Sequence, residues 1–169
     1  NNMEIRKSSL DDVKDIMTLI HQAQSYFKKA GIDQWQDGYP QADDIIQDIN
    51  QGKSYVIEDT KIIGTMYFAI EDEPTYHIID GAWKIANQPY AVIHRIVVDE
   101  AYKGQNIAHQ LLMYAMKECQ NHHIQSIRID THKDNLSMQR FLTKHSFEVC
   151  GEITLLSGAR RIGFEKICE

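Results

Sequence analysis

The stretch from Ile93 to Leu112 has the clearest chemical meaning in this sequence. A β-branched run is followed by a short polar turn around Gly104 and then by a strongly helical segment. A strand that ends in a turn and opens a helix presents backbone N–H groups and the positive end of a helix dipole to one point in space. The pattern therefore predicts a phosphate-binding turn, for which a pyrophosphate is the natural ligand.

The spacing within the turn argues against the two commonest nucleotide signatures. The segment KGQNIA, residues 103–108, matches neither GxxxxGK[ST] nor GxGxxG, so neither ATP nor a dinucleotide is favoured. The structural alternative is an ordinary β-turn-helix connection with one glycine chosen for tightness. A lone glycine motif does not decide between the two interpretations.

The turn resembles the acyl-CoA loop of the GNAT (Gcn5-related N-acetyltransferase) superfamily. The family pattern is Q/R-x-x-G-x-G/A after a strand of the kind Arg95–Val98, and Gly104 fits its commoner R-G form. Lys103 stands where Gln or Arg is usual, Asn106 stands where the first glycine is usual, and Ala108 satisfies the last position. Lysine keeps the positive charge and asparagine tolerates positive φ, so both departures are compatible with phosphate binding.

A second stretch, from Asp130 to Phe147, resembles the superfamily pattern N-x-x-A-x-x-L-Y-x-K-x-G-F. Asn135 matches the asparagine that helps to seat the pantetheine arm of the cofactor. Leu142 departs from the pattern, because it occupies the position of the tyrosine usually credited with protonating the departing thiolate. This departure favours an alternative function, that of a catalytically inactive acyl-CoA-binding sensor.

The resemblance implies direct transfer of acetyl from acetyl-CoA (coenzyme A) to a primary amine of a small molecule or peptide, without a metal. It implies that the central sheet splays after Asp130, so that the pantetheine arm bonds the strand backbone. The expected cofactor contacts are Ile96, Val97 and Val98 for the arm and Lys103, Gly104, Gln105, Asn106, Ile107 and Ala108 for the pyrophosphate. Arg140 is a further candidate for an outer phosphate, with a solvated helix arginine as the alternative.

His94 is the first candidate for the general base, because it lies two residues before Ile96 and side chains two apart on a strand point to one face. Histidine is also the side chain that ordinarily titrates near neutrality. His132, just beyond the predicted strand end at Asp130, is the second candidate. Hydrogen-bonded or solvent-facing structural histidines are the alternative for both. An aromatic wall around the acceptor amine is expected from Trp35, Tyr39 and Trp83, with packing as the alternative.

A mixed α/β scaffold must position these residues. Strand alternation and helical spacing predict the order β-α-α-β-β-β-α-β-α-β-β, which fits an α/β fold of the GNAT type with a mixed sheet. Ser9 to Asp12 offers a capping box for the first helix, and Gly31 ends that helix. Tyr90 to Val98 is predicted as the central strand, and Tyr76 to Ile79 as a short strand in the least regular segment.

The composition indicates one domain over residues 1–169, with 43% hydrophobic residues and with Asn1 and Asn2 as non-native residues before Met3. The chain lacks a long apolar run and a basic stripe, and its net charge is −6, so neither a membrane nor a nucleic acid is an expected partner. Three cysteines without CxxC spacing argue against a disulfide framework and a zinc site and indicate reduced thiols. Because no charged-then-apolar signal segment follows Met3, a cytoplasmic location is expected. A homodimer is common in this superfamily, but no residue here identifies an interface.

Overall fold

The computed structural model describes residues 3–168, so Asn1 and Asn2 lie outside the described residues. The helices in that range are α1 (Val13–Ala30), α2 (Ala42–Asn50), α3 (Ile107–Asn121) and α4 (Leu136–Lys144). The strands are β1 (Glu4–Lys7), β2 (Ser54–Asp59), β3 (Lys61–Ile70), β4 (Asp80–Gly81), β5 (Ala91–Val98), β6 (Ser126–Thr131), β7 (Phe147–Thr154) and β8 (Arg160–Ile167). The predicted mixed α/β order is confirmed, with β4 as an added two-residue strand.

Helix α1 begins and ends where local signals place it. The backbone N–H of Ser9 donates to Asp12 Oδ2 at 2.7 Å, and a 3-10 turn over Leu10–Asp12 leads into the helix. Gly31 closes the helix with φ at +70°, a left-handed conformation that glycine adopts without a steric penalty. Among residues 3–168, none of the helices combines the length and the apolar character needed to cross a bilayer.

The chain forms two compact units. The first comprises the residues up to Phe68 together with His94–Ala115, and the second comprises Ala69–Ile93 together with the residues from Met116 onward. Strands β3 and β5 and helix α3 each pass from one unit into the other.

The first unit contains α1, α2, β1, β2, most of β3 and the last part of β5. Strand β1 pairs antiparallel with β2, with Ile5 opposite Ile57, and β2 pairs antiparallel with β3, with Val56 opposite Thr65. Apolar side chains from both helices and the strands form its core, namely Ile16, Leu19, Ile20, Ile45, Val56, Ile62 and Val97. Each fully buried aliphatic side chain contributes about 1.5–3 kcal/mol, so this core fixes Val97 and with it the end of β5.

The second unit contains the remaining strands and α4. Strand β6 pairs in parallel with β5, with Ala91 opposite Ile127, and antiparallel with β8, which in turn pairs with β7. Strand β4 adds to β7 through Gly81 opposite Gly151. A Cβ on Gly81 would lie 2.1 Å from the carbonyl oxygen of Cys150, so this close backbone approach requires glycine.

The segment between β3 and β4 differs from the sequence prediction. Residues Tyr76–Ile79 do not form a strand, because Pro74–Tyr76 is a 3-10 turn. The Tyr76 side chain is buried, and its hydroxyl donates to Asp130 Oδ2 at 2.7 Å. The predicted strand was wrong because this long-range contact, and not local alternation, sets the path of the segment.

Candidate active site

The turn between β5 and α3 contains two residues in the left-handed backbone conformation. Asp99 Oδ1 accepts the N–H of Ala101 at 3.0 Å and so starts a 3-10 turn over Glu100–Tyr102. Gly104 and Asn106 then adopt positive φ values of 83° and 63°. Asparagine therefore occupies a left-handed position that glycine would otherwise take, in agreement with its tolerance of that region.

Helix α3 opens directly from this turn. Gln110 donates to the carbonyl oxygen of Asn106 at 3.0 Å, so the N–H groups of Ile107 and Ala108 precede the first i to i−4 bond of the helix. A Cβ added to Gly104 would meet no atom within 4 Å, and residues 103–106 are all exposed. The turn thus offers backbone donors and the positive end of a helix dipole beneath open space, an arrangement that suits an anion such as a diphosphate.

Helix α1 braces the first half of the turn. Gln22 Oε1 accepts the N–H of Glu100 at 3.1 Å, and the Lys103 ammonium lies 4.7 Å from the centre of the Tyr26 ring. Lys61 Nζ lies 3.4 Å from Asp99 Oδ2 at the start of the same turn. Lys103 therefore keeps its positive charge at an exposed position beside Gly104.

Strand β5 is interrupted in its middle, because Arg95 adopts φ at +49°. The three residues before His94 are buried, whereas His94, Arg95 and Ile96 are all half-buried. Regular alternation, from which His94 and Ile96 were predicted to share one face of the strand, is interrupted at this bend. Val97 returns to the core, where its carbonyl oxygen faces Gly64 of β3.

The Arg95 side chain is the centre of a polar cluster in the first unit. Its Nη2 lies 2.5 Å from Asp48 Oδ2, and its Nη1 donates to the Tyr39 hydroxyl at 2.6 Å. The guanidinium also lies 5.0 Å from the centre of the Tyr67 ring. Burial raises the pKa of Asp48, and the positive charge of Arg95 opposes this shift.

His94 lies against the same cluster. Its ring centre is 5.2 Å from that of Tyr67, at an interplanar angle of 45°. An electrostatic contribution from His94 also lowers the pKa of Asp48, which places the two side chains within electrostatic range. The structure therefore brings His94 close to Tyr67 and Asp48, whereas the sequence alone did not connect them.

The predicted aromatic wall is only partly assembled in the first unit. Trp35 packs against the core and meets Phe27 edge-on, with ring centres 5.7 Å apart. Tyr39 lies at the polar cluster, and its backbone carbonyl accepts Gln24 Nε2 at 3.1 Å. Trp35 therefore packs on the core and Tyr39 contacts Arg95, and the acceptor role of both residues stays a prediction.

Trp83 makes packing contacts within the second unit, and its role as a substrate contact stays a prediction. Its indole N–H donates to the Tyr76 carbonyl oxygen at 2.9 Å, and its ring lies 4.5 Å from the Arg128 guanidinium. A Cβ on Gly163 would lie 2.8 Å from the Trp83 ring, so glycine makes room for the indole. The indole N–H and the ring of half-buried Trp83 therefore both make contacts inside the second unit.

The remaining predicted residues lie in the second unit. His132 Nδ1 accepts the N–H of Asp134 at 3.0 Å. Asn135 is buried, and its Oδ1 caps α4 by accepting the N–H of Met138 at 3.2 Å. Arg140 is exposed on α4. His132 stays a predicted candidate for the general base.

A model of the acetyltransferase (GNAT) family matches residues 16–147 of the chain. The chain belongs to the GNAT family. Members of this family use acetyl-CoA, and the turn at Gly104 fits that cosubstrate through its exposed donors and open space. None of the curated proteins compared with this GNAT protein matches it.

Solved GNAT structures agree with this membership. A GNAT acetyltransferase from Streptococcus agalactiae is 34% identical, with a TM-score of 0.89 over 100% of this chain and 97% of that chain. A putative acetyltransferase from Staphylococcus aureus shares the fold at 22% identity, with a TM-score of 0.75 over 98% and 99% of the two chains. The PaiA N-acetyltransferase from Thermoplasma acidophilum, in complex with coenzyme A, shares it at 20% identity, with a TM-score of 0.73 over 99% of each chain.

This GNAT protein departs from the family pattern at Leu142, whose side chain is 1% exposed. The position that holds a tyrosine hydroxyl in the family pattern is therefore an apolar core position of α4 here. Among residues 3–168, no group of three or more His, Cys, Asp or Glu side chains is arranged to hold a metal ion.

The sequence alone did not predict the pairing of Asp48 with Arg95. Asp48 lies on the apolar side of α2 between Ile45 and Ile49, and Arg95 interrupts an otherwise apolar strand. A buried charge is costly unless it has a partner. A charged residue among apolar neighbours on α2 and another of opposite sign on β5 were thus the sequence signal for a buried ion pair. The sequence does not show that these two residues are in contact.

Proposed function

We propose that this GNAT protein transfers acetyl from acetyl-CoA directly to a primary amine of a small molecule or a peptide. The observation that carries the proposal is the turn before α3, where Gly104 and Asn106 are left-handed and open space lies above Gly104. Such a turn suits the diphosphate of coenzyme A, with N–H groups and the helix dipole as the binding groups. Lys103 is proposed to add a charge-assisted contact.

When bound, acetyl-CoA supplies the acetyl group as a thioester, whose C–S bond breaks as the amine nitrogen forms the new C–N bond. His94 is the proposed acceptor of the proton that the amine loses, because it is half-buried on β5 beside Tyr67. The backbone of Ile96 and Val98 is proposed to bond the pantetheine arm. A thiol with a pKa near ~8.5 leaves readily as a thiolate that water can protonate, so Leu142 is compatible with turnover.

A catalytically inactive acyl-CoA sensor is the second candidate function. Leu142 is a buried apolar residue, and the Nδ1 atom of His132 is occupied by a backbone N–H. A leucine at this position cannot protonate a thiolate, which favours the sensor, and the turn at Gly104 is unaffected by it. A homodimer and a cytoplasmic location stay predictions for both functions.

Release of coenzyme A separates these functions. The purified protein would be incubated with acetyl-CoA and a panel of amines, polyamines, amino sugars and peptides with free N-termini, with thiol detection and product mass as readouts. An acetylated amine supports the transferase, and binding without release of thiol across the panel supports the sensor. A structural subunit without a ligand predicts no stabilisation, whereas a ligand at 100 times its Kd adds about 2.7 kcal/mol.

A further inference from the structure

Arg95 has a backbone conformation that its side chain alone does not favour. Its φ of +49° lies in the left-handed region, which a non-glycine residue in the middle of a strand adopts only when surrounding contacts impose it. The neighbouring Ile96 is the first residue whose backbone is proposed to bond the cofactor arm. The contacts that impose this bend therefore bear directly on the proposed reaction.

Two residues from outside β5 hold the Arg95 guanidinium. Asp48 on α2 lies 2.5 Å from Nη2, and the hydroxyl of Tyr39, in the segment between α1 and α2, accepts Nη1 at 2.6 Å. The side chains of Arg95 and Asp48 are 14% and 11% exposed, so the pair lies largely out of water. A buried pair of this kind loses much more when one partner is removed than an exposed pair does.

The third guanidinium nitrogen, Nε, makes Arg95 more dependent on its two Nη contacts. Within residues 3–168, the buried Nε of Arg95 has no hydrogen-bond partner. The cost of burying the charge is therefore met by the two Nη contacts and by the Tyr67 ring at 5.0 Å. Loss of either Nη contact leaves the side chain, and with it the left-handed backbone, without adequate support.

Tyr39 lies in the segment between α1 and α2, where contacts to the acceptor amine are predicted. The carbonyl oxygen of Tyr39 accepts Gln24 Nε2 from α1, and Gln36 Nε2 donates to the carbonyl oxygen of Gln24 at 3.0 Å. Residues 32–41 thus contact β5 through the hydrogen bond between Tyr39 and Arg95.

We propose that Asp48 and Tyr39 are positioning residues that act through Arg95: they hold the bend of β5 and couple residues 32–41 to the strand that receives the cofactor arm. This inference rests on the proposed function for its catalytic consequence, but the coupling itself is a property of the protein without ligand. Asp48 and Tyr39 therefore need not touch a substrate to affect turnover.

The coupling is tested by hydrogen exchange on the ligand-free protein. In Asp48→Asn, peptides covering residues 32–41 and 94–98 should exchange on the order of tenfold faster, while residues 103–108 are unchanged. Asp43→Asn, an exposed change on the same helix, is the matched control and should leave all three segments as they are. Unchanged exchange of residues 94–98 in Asp48→Asn would overturn the proposal.

Arg95→Gly shows whether Arg95 carries the coupling. Glycine adopts the left-handed conformation without support, so adding Asp48→Asn to Arg95→Gly should change exchange of residues 94–98 by less than about twofold. An equally large effect of Asp48→Asn in both backgrounds would show that Asp48 acts without Arg95 and would reject the proposal. If Asp48→Asn fails to fold, Tyr39→Phe, which removes a single hydroxyl, takes its place. It should accelerate hydrogen exchange of both residues 32–41 and residues 94–98.

The catalytic consequence has its own readout. At saturating acetyl-CoA and amine, turnover of Asp48→Asn and Tyr39→Phe should fall on the order of tenfold, with Asp43→Asn at the level of the unmodified protein. If neither the unmodified protein nor any variant acetylates an amine, the proposed function is wrong. The hydrogen-exchange measurement then still decides whether Asp48 and Tyr39 hold the bend of β5. If turnover is present but insensitive to Asp48→Asn, the positioning role is wrong.

Discussion

Arg6 and Asp12 form a two-bond ion pair ahead of α1, with Nη1 2.8 Å from Oδ2 and Nη2 3.0 Å from Oδ1. Asp12 is buried, and the hydrogen bonds from Arg6 hold the pKa of this carboxyl below its usual value. The same carboxylate accepts the N–H of Ser9. One side chain therefore caps the entry to the helix and joins it to β1.

Replacing Asp12 by Asn should make the stability of the protein less sensitive to acid. Because the pKa of Asp12 is lowered in the folded state, its carboxylate contributes fully to the free energy of unfolding above the unfolded pKa of ~3.9. This contribution is lost as the pH falls from there through the pKa of the folded state. Asn keeps an acceptor for Ser9, so the variant should lose about 2 kcal/mol near neutral pH and less at pH ~2. Urea denaturation at both pH values measures this, with Asp11→Asn as an exposed control; equal losses at both would contradict it.

Trp83→Phe should destabilise the protein without changing acceptor recognition. The variant loses the hydrogen bond to Tyr76 and part of the packing on Arg128, which predicts a loss of about 1–3 kcal/mol in the free energy of unfolding. Gly163→Ala should produce a similar loss, because its Cβ would displace the indole. Denaturation and amine KM are measured together. A raised KM with unchanged stability would restore Trp83 to the acceptor site.

His94→Ala should lower turnover by about 10²–10⁴-fold, the usual contribution of a general base, while the Kd for coenzyme A stays the same. The fall in rate on the acid side of the pH profile should also disappear, because the titrating base is gone. His122→Ala, an exposed change at the end of α3, is the control. A variant that keeps its acid-side fall would show that the base is another group.

The elements that local sequence signals determine could be predicted, and those set by distant contacts could not. Ser9, Asp12 and Gly31 define the ends of α1 through their own backbone chemistry, and the structure confirms both ends. The turn at Gly104 could also be predicted, because positive φ favours glycine. The turn before α3 was therefore the most predictable part of the candidate site.

The bend at Arg95 was not predictable in this way. Regular alternation predicts a straight strand, whereas Asp48 and Tyr39, both distant in sequence, hold Arg95 in a left-handed conformation. The position of Trp83 has the same cause, because Tyr76 and Arg128 fix its indole from other elements. An aromatic residue in an irregular segment is as consistent with packing as with binding until its partners are known.

Calorimetry measures the affinity of Gly104→Val for coenzyme A. Valine would place side-chain atoms in the open space above the turn and is strained at φ +83°, so we expect affinity weakened at least about tenfold, or 1.4 kcal/mol. Gly158→Val is the matched control, because Gly158 has φ at +89° and the same open space in another turn; it should bind normally. Equal affinity of Gly104→Val and the unmodified protein would contradict the claim that this turn binds the diphosphate.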